Sequence, residues 1–471
     1  MNGDLACLSL TEAAERVRAR GVSPVELTET CLSRIGEVEG RLNAFITLTA
    51  ESAMKEAKAA ADEIAGGKYR GPLHGIPVAL KDIFDVAGVP TTAASKILAK
   101  NVPTEDSSAT RRLREAGAVL LGKLNLHQFA FGATGRSSDW EPACNPWDVE
   151  RVTGGSSSGS GAAVASGECF AALGTDTGGS IRIPASLCGI VGLKPTFGRV
   201  SRAGLLPLSW SLDHAGPLTR TVEDAAIVLQ AIAGRDDRDD WSSPESVPDY
   251  RAHLRDGVKG LRIGVPDSFF FEQLLPETDA AVKEALRVLE GLGAEVEPVT
   301  LPFIADIPNA LTAIMLPEAL AYHQKWMEER PEDYADDVRY RLELGSTFLA
   351  VDYVQAQRFR EMAVRAWRDE VFSKFDLIAT AATQTTATPI EASDLSVVFS
   401  LIRLTNPLNL LGVPAISVPC GQTPARPGGF SPDGLPIGPQ LVGRWWDEAT
   451  VLRAAHAYEQ ATDWHTRHPQ M

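Results

Sequence analysis

The sequence predicts an α/β protein containing parallel strands, and three observations carry that expectation. Gly75-Ile-Pro-Val-Ala-Leu-Lys81 is a short apolar strand, Ser107–Ala116 a capped helix and Ala118–Leu124 a second apolar strand. This β-α-β alternation is typical of parallel sheets. The Ala-rich helical run Ala162–Ser166 is followed at once by Cys169–Leu173, an apolar segment suited to a buried strand. Thr221–Ala233 and Glu277–Leu292 are amphipathic helices, with the strand Leu261–Val265 between them. With 471 residues, 44% of them hydrophobic, the chain can bury a sizeable core.

The other elements follow in chain order. Ser9-Leu-Thr11-Glu12 opens a capped helix, and Ser23-Pro24-Val25-Glu26 opens a second with proline at its first position. Ala44–Ala65 reads as one long helix ending at Gly66-Gly67. Residues 1–66 are therefore expected to be a helical segment, and residues 67–471 the α/β core of a single domain. Residues 235–259, charged and rich in Pro and Asp, are the expected surface excursion.

Composition excludes several function classes. A net charge of −16, without a Lys/Arg cluster, argues against a nucleic-acid surface. Six scattered cysteines lack metal spacing and are expected to be reduced and mainly buried, and eight histidines make no HExxH or paired-ligand pattern. No metal or other cofactor is expected. The N-terminal MNGDLACLSLTEAAERV has acids early and only a short apolar run, so it is not expected to be a signal peptide. No uncharged apolar stretch approaches 18 residues, so no membrane span is expected, and the expected location is the cytoplasm.

The most informative stretch is Thr153–Lys194, which places Ser156 in GGSSSG and Ser180 in DTGGSIR. A serine acts as a nucleophile only if a base removes its proton and donors hold the oxyanion that follows. Consecutive glycines beside a serine let backbone N–H groups converge on one point, which favours Ser180. A competing reading takes Gly155–Gly159 as G-x-S-x-G, with Ser157 as nucleophile and Asp213–His214 as the later acid and base. That motif must follow a strand, and Asn145–Val152 is polar and broken by proline. The run also lacks the third glycine of a dinucleotide fingerprint and the Lys-Ser/Thr ending of a phosphate loop. Lys81, at the end of its strand, is the base candidate. Ordinarily such a lysine is a solvated charge, but burial beside polar groups would lower its pKa and let it accept a serine proton.

Together GIPVALKD, GGSSSGS, GTDTGGSIRIP and LCGIVGLKPTFGRVS resemble the amidase signature family, and the likeness extends from SLTEAAERVRARGVSPVEL to LPIGPQLVGRWWDEATVLRAAHAYE. The resemblance implies Lys81 as base, Ser156 as a bridging serine in a cis peptide and Ser180 as the acylated nucleophile. It also makes the backbone of Thr177, Gly178, Gly179 and Ser180 the oxyanion hole. Lys81 and Ser156 stand 75 residues apart, and Ser156 and Ser180 24 apart, as in the family. The implied fold is a single large mixed sheet flanked by helices on both faces, with the N-terminal helices packed outside. The implied activity is hydrolysis of an amide-type C–N bond through an acyl-enzyme, with esters or carbamates (urethanes) also within reach. A small-molecule substrate and a monomer or homodimer are expected.

Phe129–Gly132 (Ala130 among them), residues 310–320 and residues 380–400 are implied to border the acyl pocket. Their small, apolar and hydroxyl side chains, with few fixed charges, point to a neutral hydrophobic or aryl acyl group. Ala379–Thr383 departs from the Pro-Thr that relatives often carry there. The alternative is the glutamine-hydrolysing component of a tRNA-dependent amidotransferase. Such chains usually have Gln at the position of Ile183 and Asp-Glu-Phe-Ala-Met-Gly where this chain has His127-Gln-Phe-Ala-Phe-Gly132. Both departures favour a stand-alone enzyme.

Overall fold

The computed structural model describes residues 5–137, 139–424 and 434–471. Residues 1–4, the start of the stretch expected not to be a signal peptide, lie outside them. The first two helices are Leu10–Arg18 and Pro24–Leu42. Each begins with a reciprocal cap: Ser9 accepts from the Glu12 N–H and Ser23 from the Glu26 N–H, and each glutamate accepts the serine's own N–H.

The single helix expected over Ala44–Ala65 is a strand followed by a helix: β1, Phe45–Leu48, precedes the helix Ala50–Ala65. Phe-Ile-Thr is strand-forming sequence, and the Glu39 carboxylate fixes its start by accepting the N–H groups of Ala44 and Phe45 at 2.9 and 2.7 Å. The N-terminal segment therefore supplies a sheet edge as well as outer helices.

The remaining strands are β2 (Pro77–Lys81), β3 (Val119–Leu124), β4 (Cys144–Asn145), β5 (Asp148–Val152), β6 (Ala171–Asp176), β7 (Val191–Lys194), β8 (His214–Thr219), β9 (Arg262–Pro266), β10 (Glu295–Val299), β11 (Leu377–Ala381), β12 (Ala415–Ser417), β13 (Gly421–Gln422), β14 (Pro436–Ile437) and β15 (Pro439–Gly443). Among the described residues, eleven of them form one sheet in the order β1-β3-β2-β6-β8-β7-β12-β15-β11-β9-β10. Pairing is parallel for β3-β2-β6 and for β11-β9-β10, and antiparallel elsewhere, so the sheet is mixed. β4 with β5 and β13 with β14 make two short ribbons outside it.

Every residue of β2, β3, β6, β8 and β11 is buried, which requires cover on both faces. The helices Ser158–Ser166 and Arg182–Cys188 are equally buried and pack on each other. Gly159 makes the first of these fit: a Cβ there would meet the Ala44 carbonyl oxygen at 2.3 Å and the Asn125 N–H nitrogen at 2.6 Å. Residues 235–259 form no helix or strand, as their composition predicts, yet Asp236, Asp239, Tyr250 and Leu254 anchor them in buried positions. All six cysteines are free thiols, four of them buried. No described helix is long and apolar enough to cross a membrane.

The fold's main consequence for chemistry is at one edge. β2 and β6 are parallel neighbours, so Lys81 and Thr175–Asp176 emerge together at the carboxyl ends of their strands, where open α/β sheets place their sites.

Candidate active site

Lys81 ends β2 with no solvent exposure. Its ammonium donates to Ser156 Oγ at 2.7 Å and to Thr175 Oγ1 at 2.9 Å. Ser156 sits in the turn before the helix Ser158–Ser166, its peptide bond with Gly155 is cis, and its carbonyl accepts the His127 N–H at 3.0 Å. Burial pushes the Lys81 pKa down to about 7, while the negative charges of Asp213 and Asp176 oppose a further fall.

The turn after β6 is organised by Asp176. Its carboxylate accepts the N–H of Gly179 at 2.8 Å and of Ile181 at 3.1 Å, and pairs with Arg182 at 3.0 Å. Burial alone would raise this carboxyl, but the Arg182 guanidinium overcomes it and holds the group well below the usual carboxylate range. Arg182 also donates to Gln440 and Asn409, so the turn is fixed by fully buried polar contacts. On the other side Thr405 Oγ1 donates to the Gly178 carbonyl at 2.6 Å. Only glycine fits at 179, where φ is +135° and a Cβ would meet Thr405 Oγ1 at 2.1 Å.

Ser180 lines a cavity of about 600 Å³ together with Thr177, Gly178 and Ala130. Of the four backbone N–H groups expected to serve as oxyanion donors, that of Gly179 is donated to Asp176. Among the described residues, the N–H groups of Thr177, Gly178 and Ser180 have no protein acceptor, leaving three available to an anion. No hydrogen bond joins Ser156 to Ser180 among the described residues.

Ser157 is excluded as a nucleophile. Its hydroxyl is buried against β6, donating to the Thr175 carbonyl at 3.2 Å and accepting the Thr175 N–H at 3.3 Å. A strand does precede it, contrary to the reading of Asn145–Val152, but β5 pairs with β4 in a separate ribbon. Asp213 accepts from Thr177, and His214 Nδ1 lies against the Asp176 and Leu212 carbonyls. Neither serves Ser157.

Residues 26–452 match the protein-family model described as Amidase. The chain belongs to the amidase signature family. It is 42% identical to the A chain of the glutamyl-tRNA(Gln) amidotransferase of Moorella thermoacetica, over 99% of each protein. It is 44% identical to an amidase of Pseudomonas putida, over 99% of this chain and 98% of that one. The native peptide amidase from Stenotrophomonas maltophilia superposes with a TM-score of 0.85 at 32% identity, covering 98% of each chain. This amidase is accordingly a C–N hydrolase.

The amidase's cavity draws on each of the three expected wall segments. Ala130, Phe131 and Gly132 come from the first, Leu311, Met315 and their neighbours from the second, and Gln384 with Val398 and Phe399 from the third. Phe129 departs, turning instead against His323 with ring centroids 4.4 Å apart. Ala379–Ala381 lies within β11, fully buried and away from the cavity lining.

Sequence reasoning missed Arg341, Arg403 and Asn406 in the lining and Thr175 beside Lys81. Both arginines lie outside the three segments expected to carry few fixed charges. Each has a carboxylate partner, Arg341 with Asp337 at 2.6 Å and Arg403 with Glu272 at 2.8 Å. His127 and Gln128 brace this wall: His127 Nε2 lies 3.1 Å from Asp337, and Gln128 accepts the Ala335 N–H at 2.7 Å. For Thr175 a signal existed, since it directly precedes Asp176 at the end of an apolar strand. For the arginines none did.

Proposed function

We propose that the chain is a stand-alone amidase in which Lys81, Ser156 and Ser180 hydrolyse a neutral, largely apolar carboxamide through an acyl-enzyme. The carrying observation is the fully buried Lys81 amine, 2.7 Å from Ser156 Oγ and with a pKa brought down to about 7. A lysine so placed is neutral for a useful fraction of time near neutral pH and accepts a proton.

In the proposed reaction Ser180 Oγ attacks the amide carbon. Its proton passes to Ser156 Oγ while the Ser156 proton passes to Lys81 Nζ. The oxyanion rests on the N–H groups of Thr177, Gly178 and Ser180. Collapse breaks the C–N bond, and the proton returns through Ser156 to the leaving nitrogen. Water then gives a proton through Ser156 to Lys81 as it attacks the acyl-Ser180 ester, and the same proton returns through Ser156 to Ser180 Oγ as the acid leaves. The contact between Ser156 and Ser180 closes when substrate fills the cavity, since catalytic hydrogen bonds are often loose in a free enzyme.

Leu311, Met315, Phe131 and Phe399 supply an apolar acyl wall, and the locally paired arginines leave little net charge on it. Esters and carbamates of the same acyl group fit the same chemistry. We also propose that the chain works as one catalytic unit, as a monomer or homodimer in the cytoplasm.

A second reading, the glutamine-hydrolysing component of a tRNA-dependent amidotransferase, is favoured by the 42% identity over 99% of such a protein. One panel separates the two: amine or ammonia release from aryl, alkyl and amino-acid amides, carbamates and glutamine by the isolated protein. Turnover of apolar amides without added partner proteins supports the first. Ammonia from glutamine alone, and only with partner proteins present, replaces it with the second.

A further inference from the structure

We propose that Asp213 is a positioning residue of this site, its carboxylate tying the oxyanion turn to the charge state of Lys81. The inference rests on the Lys81-Ser156-Ser180 reading above. Asp213 lies in the loop just before β8 and is buried. Oδ1 accepts the Thr177 hydroxyl at 2.6 Å, and Oδ2 accepts the N–H groups of Leu208 and Ser209 at 2.9 and 3.1 Å. Three donors on one carboxylate favour its ionised form.

Two carboxylates therefore grip the same turn from different sides. Asp176 holds Gly179 and Ile181, and Asp213 holds Thr177, the first of the three free N–H donors. Their electrostatic roles differ. Asp176 is neutralised in contact by Arg182 at 3.0 Å. Asp213 has no ion-pair partner within contact among the described residues, and the arginine facing it, Arg202, is itself paired with Asp239 at 3.0 Å.

The titratable groups around Asp213 are Lys81 from β2, Asp176 with Arg182 from the turn after β6, Arg202 with Asp239 from the loops, His214 next in the chain, and Glu318, whose helix Ile307–Glu329 reaches Asp213 through Ser209. Arg238 and Asp240 share with Asp213 and Thr175 a second cavity of about 280 Å³. Of these, Asp213 is the foremost charge favouring protonated Lys81.

That placement has a use. When Lys81 takes the proton from the relay, it becomes an ammonium whose contacts among the described residues are hydroxyls. Asp213 supplies the opposing charge without sitting close enough to trap the proton permanently. Burial pushes the Asp213 carboxyl itself up to about 6, still below the value of about 7 for Lys81, so Asp213 is largely ionised where Lys81 gives up its proton.

The test uses full-length enzyme and an amide hydrolysed in the panel, with kcat/KM followed from pH 5 to 9. Asp213→Asn removes the charge and should move the rising limb to lower pH by about one unit, because an adjacent carboxylate is what holds Lys81 protonated. The plateau should fall about ten-fold or more in kcat, with KM little changed, since one oxyanion donor loses its anchor. Asp213→Glu should restore the position of the limb. Thr177→Val cuts the tie but keeps the carboxylate, and should lower the plateau while moving the limb less than Asp213→Asn does.

A folded Asp213→Asn enzyme with an unmoved limb overturns the inference, as does a wild-type plateau in Thr177→Val. The second outcome decides the matter even if Asp213→Asn does not fold. A limb that survives Lys81→Ala overturns this inference and the underlying reading together. A limb that Lys81→Ala abolishes but Asp213→Asn leaves in place overturns this inference alone.

Discussion

Lys81 and Lys123 are neighbours in the same sheet, both fully buried and both donating to a threonine hydroxyl, yet the structure uses them differently. Lys123, on β3, pairs with Asp82 at 2.7 Å and also donates to Thr91 and the Pro90 carbonyl. Lys81, on β2, donates to the hydroxyls of Ser156 and Thr175 and to no other group among the described residues. Burial lowers the pKa of both. Of the two, only Lys123 has a carboxylate in contact among the described residues to recover its charge. A buried lysine with a counter-ion is part of the architecture, and one with only hydroxyl neighbours is free to exchange a proton. On the proposed mechanism, the contacting partner and not the burial is what distinguishes Lys81 from Lys123.

The largest effects should come from the chemical pair. Ser180→Ala and Lys81→Ala should each lower kcat on amides by about 10⁴–10⁶. A serine-directed fluorophosphonate should label Ser180 and spare Ser157, read by peptide mass spectrometry. Label on Ser157 would remove Ser180 from the mechanism. Because the base must be neutral, the wild-type rate should rise with pH through about 7 and then level off. Lys81→Ala should erase that limb, and should harm amides more than matched esters, because an amine leaving group needs the returned proton.

Ser156→Ala comes next. The fold should be retained while the rate drops by about 10²–10⁴, the usual worth of a positioned proton transfer. Near wild-type turnover would take Ser156 out of the relay.

Lys123→Met should act on stability instead, leaving Asp82 buried without its partner at a cost of about 3–5 kcal/mol in urea unfolding. The pH limb of the folded enzyme should stay in place. Lys81→Met should show the opposite sign. The native pKa of about 7 lies below the ordinary 10.5, so burying Lys81 costs most below pH 7, less as pH rises towards 10.5, and methionine removes that cost. Equal destabilisation of both variants would erase the distinction drawn between the two lysines.

The smallest effect is expected at Thr175→Val, which removes one of two hydroxyls on Lys81 and should cost about ten-fold in kcat/KM, the value of a hydrogen bond to a charged group. No change would make Ser156 the sole positioning contact.

The site motifs were legible before the fold. Ser156 and Ser180 stand in glycine-rich turns because only such turns free backbone N–H groups, and Lys81 ends an apolar strand that could hardly be anywhere but inside. The helix caps at Ser9 and Ser23 were equally readable, since each is a contact within four residues. Phe45–Leu48 was misread for the complementary reason: four residues joined to a helical pattern carry too little periodicity. What makes them a strand is pairing with β3, some 75 residues away in sequence.

Residue types and local spacing thus determined the family, the strand-turn-helix chemistry of the serines and the candidate base. Only the tertiary structure decided which groups meet. Parallel pairing of β2 with β6 sets Lys81 beside Thr175. The Asp176 carboxylate withdraws Gly179 from the oxyanion donors. Arg341 and Arg403 arrive at the cavity already paired, and Asp213 reaches Thr177 across 36 residues. These depend on distances between segments remote along the chain, which no local pattern encodes. The charge a buried group carries is set by such distances.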